Sequence, residues 1–278
     1  MGIQIMMMKS LNNKVIVITG ASSGIGRALA LECASMGGDL SLAARNIDQL
    51  EILQNEITAR YPVRVLCTRT DVSRRDDCEQ LIQETVKTYG KIDILINNAG
   101  ISMRALFNEC QLSVIEEVMN INFWGTAYCT KYALPHLLKQ RGSVVGVSST
   151  AGYKGLPGRT GYSASKFAMQ GFLEALRIEN RNQDLHVLIA CPGFTASNIR
   201  KSALGQDGTV QGESPRHEDK MMRAEEVAHY IIKATLQRKR TIILTRQGKL
   251  TVWLNKFFPG FMDKLTFNHM KKEPGSPF

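Results

Sequence analysis

One unit near the start of the chain restricts the fold more than any other. Lys14-Val-Ile-Val-Ile-Thr19 is a short apolar run, and Thr19-Gly20-Ala21-Ser22-Ser23-Gly24-Ile25-Gly26 follows it. An Ala/Leu-rich stretch from about Arg27 to Met36 then reads as helix and stops at Gly37-Gly38. An apolar run without alternation suits a strand buried on both faces. A helix directly after such a strand covers one face of a sheet whose next strand runs parallel. Glycines at the junction permit a tight turn and close approach of backbone to a ligand. The helix start adds free N–H groups and a dipole that favours an anion such as a pyrophosphate. The spacing is Gly-x-x-x-Gly-x-Gly rather than the Gly-x-Gly-x-x-Gly fingerprint. Gly20, Ser22, Ser23, Gly24, Ile25 and Gly26 are the expected cradle.

The same alternation continues without a break. Strands are expected at Leu40–Ala44, Val63–Thr68, Ile92–Ile96, Ser143–Val147, His186–Ala190 and Thr241–Thr245. Helices are expected at Ile47–Arg60, Arg75–Tyr89, Leu112–Gln140, from Tyr162 to about Arg181, and at Ala224–Leu236. This pattern predicts an α/β protein with a single doubly wound Rossmann domain over residues 13–246. It would have a seven-stranded parallel sheet with helices on both faces. Residues 1–12 read as an N-terminal extension, and Met1–Lys9 is Met-rich and too short for a signal peptide. Between 199 and 222 the pattern fails among Gly205, Gly208, Gly212 and Pro215, which predicts a loop or lid beside the substrate.

Residues 247–278 form an amphipathic basic tail. Leu250-Thr-Val-Trp-Leu-Asn-Lys-Phe-Phe and Phe261-Met-Asp-Lys-Leu-Thr-Phe mix bulky apolar residues with lysines around Pro259. Two readings stay open: peripheral contact with a membrane surface, or a flap on its own domain or a partner subunit. The chain has a net charge of +10, concentrated toward this end. No aromatic-interleaved nucleic-acid motif accompanies the charge, so no nucleic-acid partner is expected. No apolar run reaches the ~20 residues of a membrane-spanning helix. Six cysteines without CxxC or Cys/His pairing read as reduced thiols of a cytoplasmic protein, with no zinc site.

The strand ends carry the remaining chemistry. The second strand ends Ala43-Ala44-Arg45 with no carboxylate for ribose hydroxyls. Arg45 there suits a 2′-phosphate, which predicts NADP(H) over NAD(H). Asp71 is placed to accept from an adenine amino group, with Val72 packing on the ring. Asn98, Ala99 and Gly100 put small groups where a ribose would pass. Tyr162 and Lys166 are spaced to share one helical face. A cation beside a phenol lowers its pKa from ~10 and makes it a proton donor and acceptor for an alcohol or carbonyl.

Together these residues resemble the classical short-chain dehydrogenase/reductases. The matching stretches are Thr19–Gly26, Asp71-Val72, Asn97–Gly100, Ser148-Ser149, Tyr162-x-x-x-Lys166 and Pro192-Gly193, in the family's order. The resemblance implies Tyr162 as general acid or base and Lys166 as its pKa-lowering partner and ribose ligand. It implies Ser149, rather than its rival Ser148, as the group polarising the substrate oxygen. It implies Asn122, rather than Asn120, as the holder of a water linking Lys166 to solvent. Pro192, Gly193 and Thr195 would lie under the nicotinamide, with Ser197 where the family often has Thr. The hydroxysteroid, retinol and lipid-carbonyl branch looks most similar. The implied reaction interconverts a carbonyl and a secondary alcohol on a largely apolar substrate, in a homodimer or homotetramer. The alternative is a catalytically silent dinucleotide sensor or scaffold on the same fold. Leu156–Arg159, Met103–Phe107 and the 199–222 loop are expected to line the substrate pocket.

Overall fold

Val15–Thr19 pairs on both sides and is buried throughout as β1. Ile16 and Ile18 point into one helical layer and Val17 into the other, as the two-residue period of a strand requires. The computed structural model describes residues 10–195, 199–212 and 221–276. Its elements in order are β1, α1 (Gly24–Ser35), β2 (Asp39–Ala44), α2 (Ile47–Arg60), β3 (Val65–Arg69), α3 (Arg75–Tyr89) and β4 (Ile94–Asn97). Next come α4 (Leu112–Met119), α5 (Gly125–Lys139), β5 (Ser143–Val147), α6 (Thr160–Glu179) and β6 (His186–Cys191). The last are α7 (Ala224–Leu236), β7 (Thr241–Ile243), α8 (Arg246–Phe257) and α9 (Pro259–Lys271).

The seven strands form one parallel sheet in the order β3-β2-β1-β4-β5-β6-β7. The order reverses between β1 and β4, and the crevice above such a switch point is where open α/β sheets bind ligands. α1, α2 and α7 cover one face with Leu29, Leu50, Leu53, Val227 and Ile231. α3, α5 and α6 cover the other with Leu81, Cys129, Leu137, Met169 and Leu173.

Two departures from the sequence expectations stand out. Residue 13 is too late a domain start, because Leu11 is buried in the core and its N–H bonds Met36 O at 2.9 Å. Residues 1–9 lie outside the described residues. The single helix expected over Leu112–Gln140 is interrupted by a π-helical turn at Asn120–Trp124. Such turns insert a residue without ending the helix, so periodicity does not reveal them. The tail forms two helices, α8 and α9, folded back over the domain, one of the two arrangements left open above.

The tail is tied down by polar contacts to loops around the crevice. Asn255 donates to Tyr153 O at 2.9 Å, and Lys154 is ion-paired with Asp263. Residues 201–212 are held as well. Leu204 bridges Met103, and Gln111 N donates to Gln206 O at 2.8 Å.

Candidate active site

The glycine loop is built around Thr19 and Asn98. Thr19 Oγ1 accepts from Asn98 N and Ala99 N, both at 3.1 Å. Asn98 Nδ2 donates to Thr19 O at 2.9 Å and to Gly20 O at 3.1 Å. Gly20 has φ +64, and a Cβ there would lie 2.8 Å from Ala99 Cα. A Cβ on Gly26 would lie 2.1 Å from Gly20 O. Those two positions therefore demand glycine, and they bring the start of α1 against the ends of β1 and β4. Ser23 is the N-cap of α1 without a capping side-chain bond, and the first turn holds no acidic residue. Free N–H groups and hydroxyls thus face the crevice, which fits a dinucleotide pyrophosphate.

The adenosine end follows. Arg45 is exposed at the end of β2 and lines the crevice. Asp71 Oδ1 accepts from Ser73 N at 3.0 Å and Ser73 Oγ at 2.7 Å, an Asx turn that fixes the carboxylate. Val72 is buried beside it, against Gly125.

On the opposite wall, Tyr162 sits in the first turn of α6 and Lys166 one turn later, both buried. Lys166 Nζ lies 5.7 Å from the Tyr162 ring centroid and donates to Val147 O at 3.0 Å. Burial pushes the Lys166 ammonium down to about 8. The phenol departs from the expected lowering: burial raises its pKa, opposed by Ser149 within hydrogen-bonding reach and by the charges of Arg159 and Arg200. Burial outweighs the hydroxyl and the two guanidiniums, which offset only part of it.

The two serines separate cleanly. Ser148 Oγ is turned into the interior and accepts from Gln170 Nε2 at 2.9 Å. Ser149 Oγ accepts from Ala151 N at 3.1 Å and faces the phenol. Asn122 lies in the π turn, fully buried. Its Oδ1 accepts from Ile101 N at 2.9 Å, and its Nδ2 donates to Ile101 O at 3.0 Å and Ser165 Oγ at 2.9 Å. Ser165 Oγ in turn donates to Tyr162 O at 2.7 Å. The amide thus locks the β4–α4 loop to the helical turn carrying the tyrosine. Gly100 completes this corner, since a Cβ there would lie 3.1 Å from Asn122 Oδ1 and 3.5 Å from Lys166 Nζ.

Pro192, Gly193 and Thr195 line the crevice floor. Thr195 Oγ1 donates to Gly193 O at 3.2 Å. Gly193 also meets a packing demand, because a Cβ there would lie 2.7 Å from Thr245 Oγ1. Ser197 lies outside the described residues.

The crevice has a volume of about 1390 Å³ and extends past Tyr162 to Leu156 and the tail. Leu156, Arg159, Ile199 and Leu204 line it as expected. Met103–Phe107 does not: Met103 and Ala105 are buried beneath Tyr162, Phe107 points to solvent, and Ile101 and Ser102 form the wall instead. The sequence reading missed the outer wall, made by Met262, Thr266, His269, Met270 and Glu273 of the tail. The signal was present as the four-residue spacing Met262, Thr266, Met270, a buried stripe on α9.

A parallel sheet with a glycine cradle at its switch point, and a buried Tyr–Lys pair across the crevice, defines a nicotinamide-dinucleotide-binding α/β protein. A family model described as short chain dehydrogenase matches residues 14–207. The chain belongs to the short-chain dehydrogenase/reductase family. It is 41% identical over 187 residues to 11-beta-hydroxysteroid dehydrogenase-like 4A of Arabidopsis thaliana, covering 67% of this chain and 62% of the relative's length. It is 38% identical over 279 residues to 11-beta-hydroxysteroid dehydrogenase A of Arachis hypogaea, covering 95% of this chain and 77% of that one. It is 34% identical over 263 residues to dehydrogenase/reductase SDR family protein 7-like of Dictyostelium discoideum, covering 92% and 82%. A short chain dehydrogenase/reductase from Burkholderia phymatum, solved with NAD, superposes with TM-score 0.80 at 26% identity over 91% of this chain and 96% of its own. An alcohol dehydrogenase from Thermococcus sibiricus, solved with 5-hydroxy-NADP, superposes with TM-score 0.74 at 25% identity over 83% and 95%.

Proposed function

We infer that this protein is an NADP(H)-dependent oxidoreductase interconverting a carbonyl and a secondary alcohol on a largely apolar substrate. The observation that carries the reading is the convergence of Ser149, Tyr162 and Lys166 on one wall of the crevice, opposite the glycine cradle. When bound, the nicotinamide supplies or accepts the hydride. In the reductive direction the Tyr162 O–H gives its proton to the substrate oxygen, and Ser149 polarises that oxygen by donating a hydrogen bond. In oxidation the proton moves the other way. Lys166 holds its charge beside the phenol and binds the ribose, and Asn122 holds a water that connects Lys166 to solvent. Gly20, Ser22, Ser23, Gly24, Ile25 and Gly26 bind the pyrophosphate. Arg45 takes the 2′-phosphate, and Asp71 and Val72 the adenine. Asn98, Ala99 and Gly100 flank the ribose, while Pro192, Gly193 and Thr195 support the nicotinamide.

Arg45, with no carboxylate at the same strand end, supports NADP(H). The Leu156, Ile199, Met262 and Leu265 side chains support an apolar substrate. Trp124 and Phe167, exposed on or next to α5 and α6, support pairing of subunits. The six cysteines, all free, support a reducing compartment such as the cytoplasm. A panel of carbonyls and alcohols with both cofactors, run beside Tyr162→Phe, tests the reading. Full turnover by that variant would falsify it.

A further inference from the structure

The outer surface of α8 and α9 is apolar where a solvent-facing helix is normally polar. Trp253, Phe257, Phe258 and Phe261 are each more than half exposed, and Leu250 and Phe267 are exposed with them. They cluster where α8 ends at Phe257 and α9 begins at Pro259, with the Trp253 and Phe257 rings 5.4 Å apart. Exposed cations lie along the same two helices: Arg246, Lys249, Lys256, Lys264, Lys271 and Lys272. The two acids of this segment are both ion-paired, Asp263 with Lys154 at the surface and the buried Glu273 with Arg159. The inner face of α9, meanwhile, carries Met262, Thr266 and Met270 against the crevice. α9 is therefore apolar on two sides, one toward the substrate compartment and one toward the exterior.

A second cleft of about 520 Å³ lies beside α9, between Asp263, Phe267 and the Gly155–Pro157 loop. Lys154, Leu156 and Thr266 wall both this cleft and the main crevice. The second cleft, which Phe267 lines, and the main crevice are thus separated by one layer of side chains.

We propose that the α8–α9 face docks on an anionic lipid bilayer, so that a membrane-dissolved substrate enters beside Leu156 and Thr266. The surface carries six exposed cations, so a second copy of this chain would meet like charge, whereas anionic headgroups complement it. A convex corner of aromatics flanked by lysines suits insertion among deformable headgroups better than a preformed protein groove. Among the described residues no helix is long and apolar enough to cross a membrane, so the contact made by this face is interfacial. The route of entry rests on the oxidoreductase reading of the crevice; the docking does not.

The test uses the full chain with vesicles of phosphatidylcholine, with and without phosphatidylserine. Wild type should co-sediment with the phosphatidylserine vesicles, and Trp253 emission should shift to the blue in a Trp124→Phe background. The variant Trp253→Asp/Phe257→Asp/Phe261→Asp should bind about tenfold more weakly or worse. It should also lose kcat/KM by a similar factor for a long-chain carbonyl dissolved in the vesicles, with a water-soluble carbonyl unaffected. Equal binding by variant and wild type, or no preference for phosphatidylserine, overturns the docking. So does an assembly of copies that the variant dissociates while wild type ignores vesicles, or capture by an acidic protein with no vesicle binding. Vesicle binding with turnover of no carbonyl or alcohol leaves the docking supported and removes the oxidoreductase reading. Docking without any kinetic difference on the vesicle-borne substrate removes the route of entry.

Discussion

The Glu273 carboxylate lies 3.2 Å from Arg159 Nη2, joining the end of the tail to the N-cap of the helix that carries Tyr162. Arg104 stands 3.9 Å from the same oxygen, and all three side chains are nearly or fully buried. The contact spans 114 residues of sequence and makes the tail a wall of the site. It also places a negative charge beside the guanidinium that pulls the Tyr162 phenol down.

Glu273→Gln should therefore change the pH profile as well as stability. Breaking a buried pair by removing one partner typically costs about 3–5 kcal/mol. Undocking of the tail would relieve part of that cost. Where the tail stays docked, Arg159 acts on the phenol with less opposition, and the phenol pKa falls further. In the proposed mechanism reduction needs the protonated phenol, so the alkaline decline in kcat should move to lower pH than in wild type. Steady-state reduction rates followed to about pH 11, past the ordinary phenol value of ~10, check this, and an unmoved alkaline limb counts against the coupling.

Lys166→Met should stabilise the cofactor-free protein at neutral pH while abolishing most turnover. Burial holds the folded-state ammonium at about 8, against ~10.4 in the unfolded chain. Below the folded value the buried charge destabilises the fold by about 3 kcal/mol at most, from 1.36 kcal/mol per unit. Between the two values the unfolded state binds more protons, so wild-type stability rises with pH there. Methionine carries no charge and lacks this dependence. Urea melts should show the variant ahead at pH 7, with the gap closing toward pH 10. A gap that is absent at pH 7 or widens with pH would mean that the ammonium is not strained by burial.

The sheet was legible because its strands are short and mostly apolar: β1, β2 and β5 are buried on both faces, and mainly apolar sequences fit there. The cradle was legible because Gly20 and Gly26 meet steric demands that no other residue satisfies. Tyr162 and Lys166 were readable from helical spacing, yet the direction of the phenol's pKa was not. Its sign depends on burial by Met103, Leu204 and Ala151, which come from distant elements. The π turn at Asn122 leaves no pattern in the residues. The tail was readable as amphipathic but not as a wall, because Arg159, Arg104 and Lys154 find their partners only after folding.

Arg45→Ala should separate the two cofactors. The guanidinium is exposed at the strand end, so its removal should cost little stability. A charge-assisted contact to a phosphate contributes about 1.5–3 kcal/mol, or roughly 10- to 100-fold in affinity. KM for NADPH should rise by about that factor while KM for NADH changes less than about threefold. Parallel kinetics with both cofactors decide it; an equal rise for both would remove Arg45 from the 2′-phosphate site.

Ser149→Ala and Ser148→Ala should differ sharply although the residues are adjacent. Ser149 faces the phenol and the space where the substrate oxygen would sit. Loss of a donor aimed at developing negative charge costs about 10²–10³ in kcat. The Ser148 hydroxyl instead accepts from Gln170, which keeps a second acceptor in Ser149 O at 3.3 Å. Its removal leaves the reacting oxygen's contacts in place and should lower kcat less than about tenfold. The alkaline limb should also respond in Ser149→Ala alone, because only that hydroxyl opposes the burial that raises the phenol. With its loss the phenol pKa rises further, and reduction should persist to higher pH at its lower rate. Equal losses in the two variants would place the polarising hydroxyl elsewhere in the crevice.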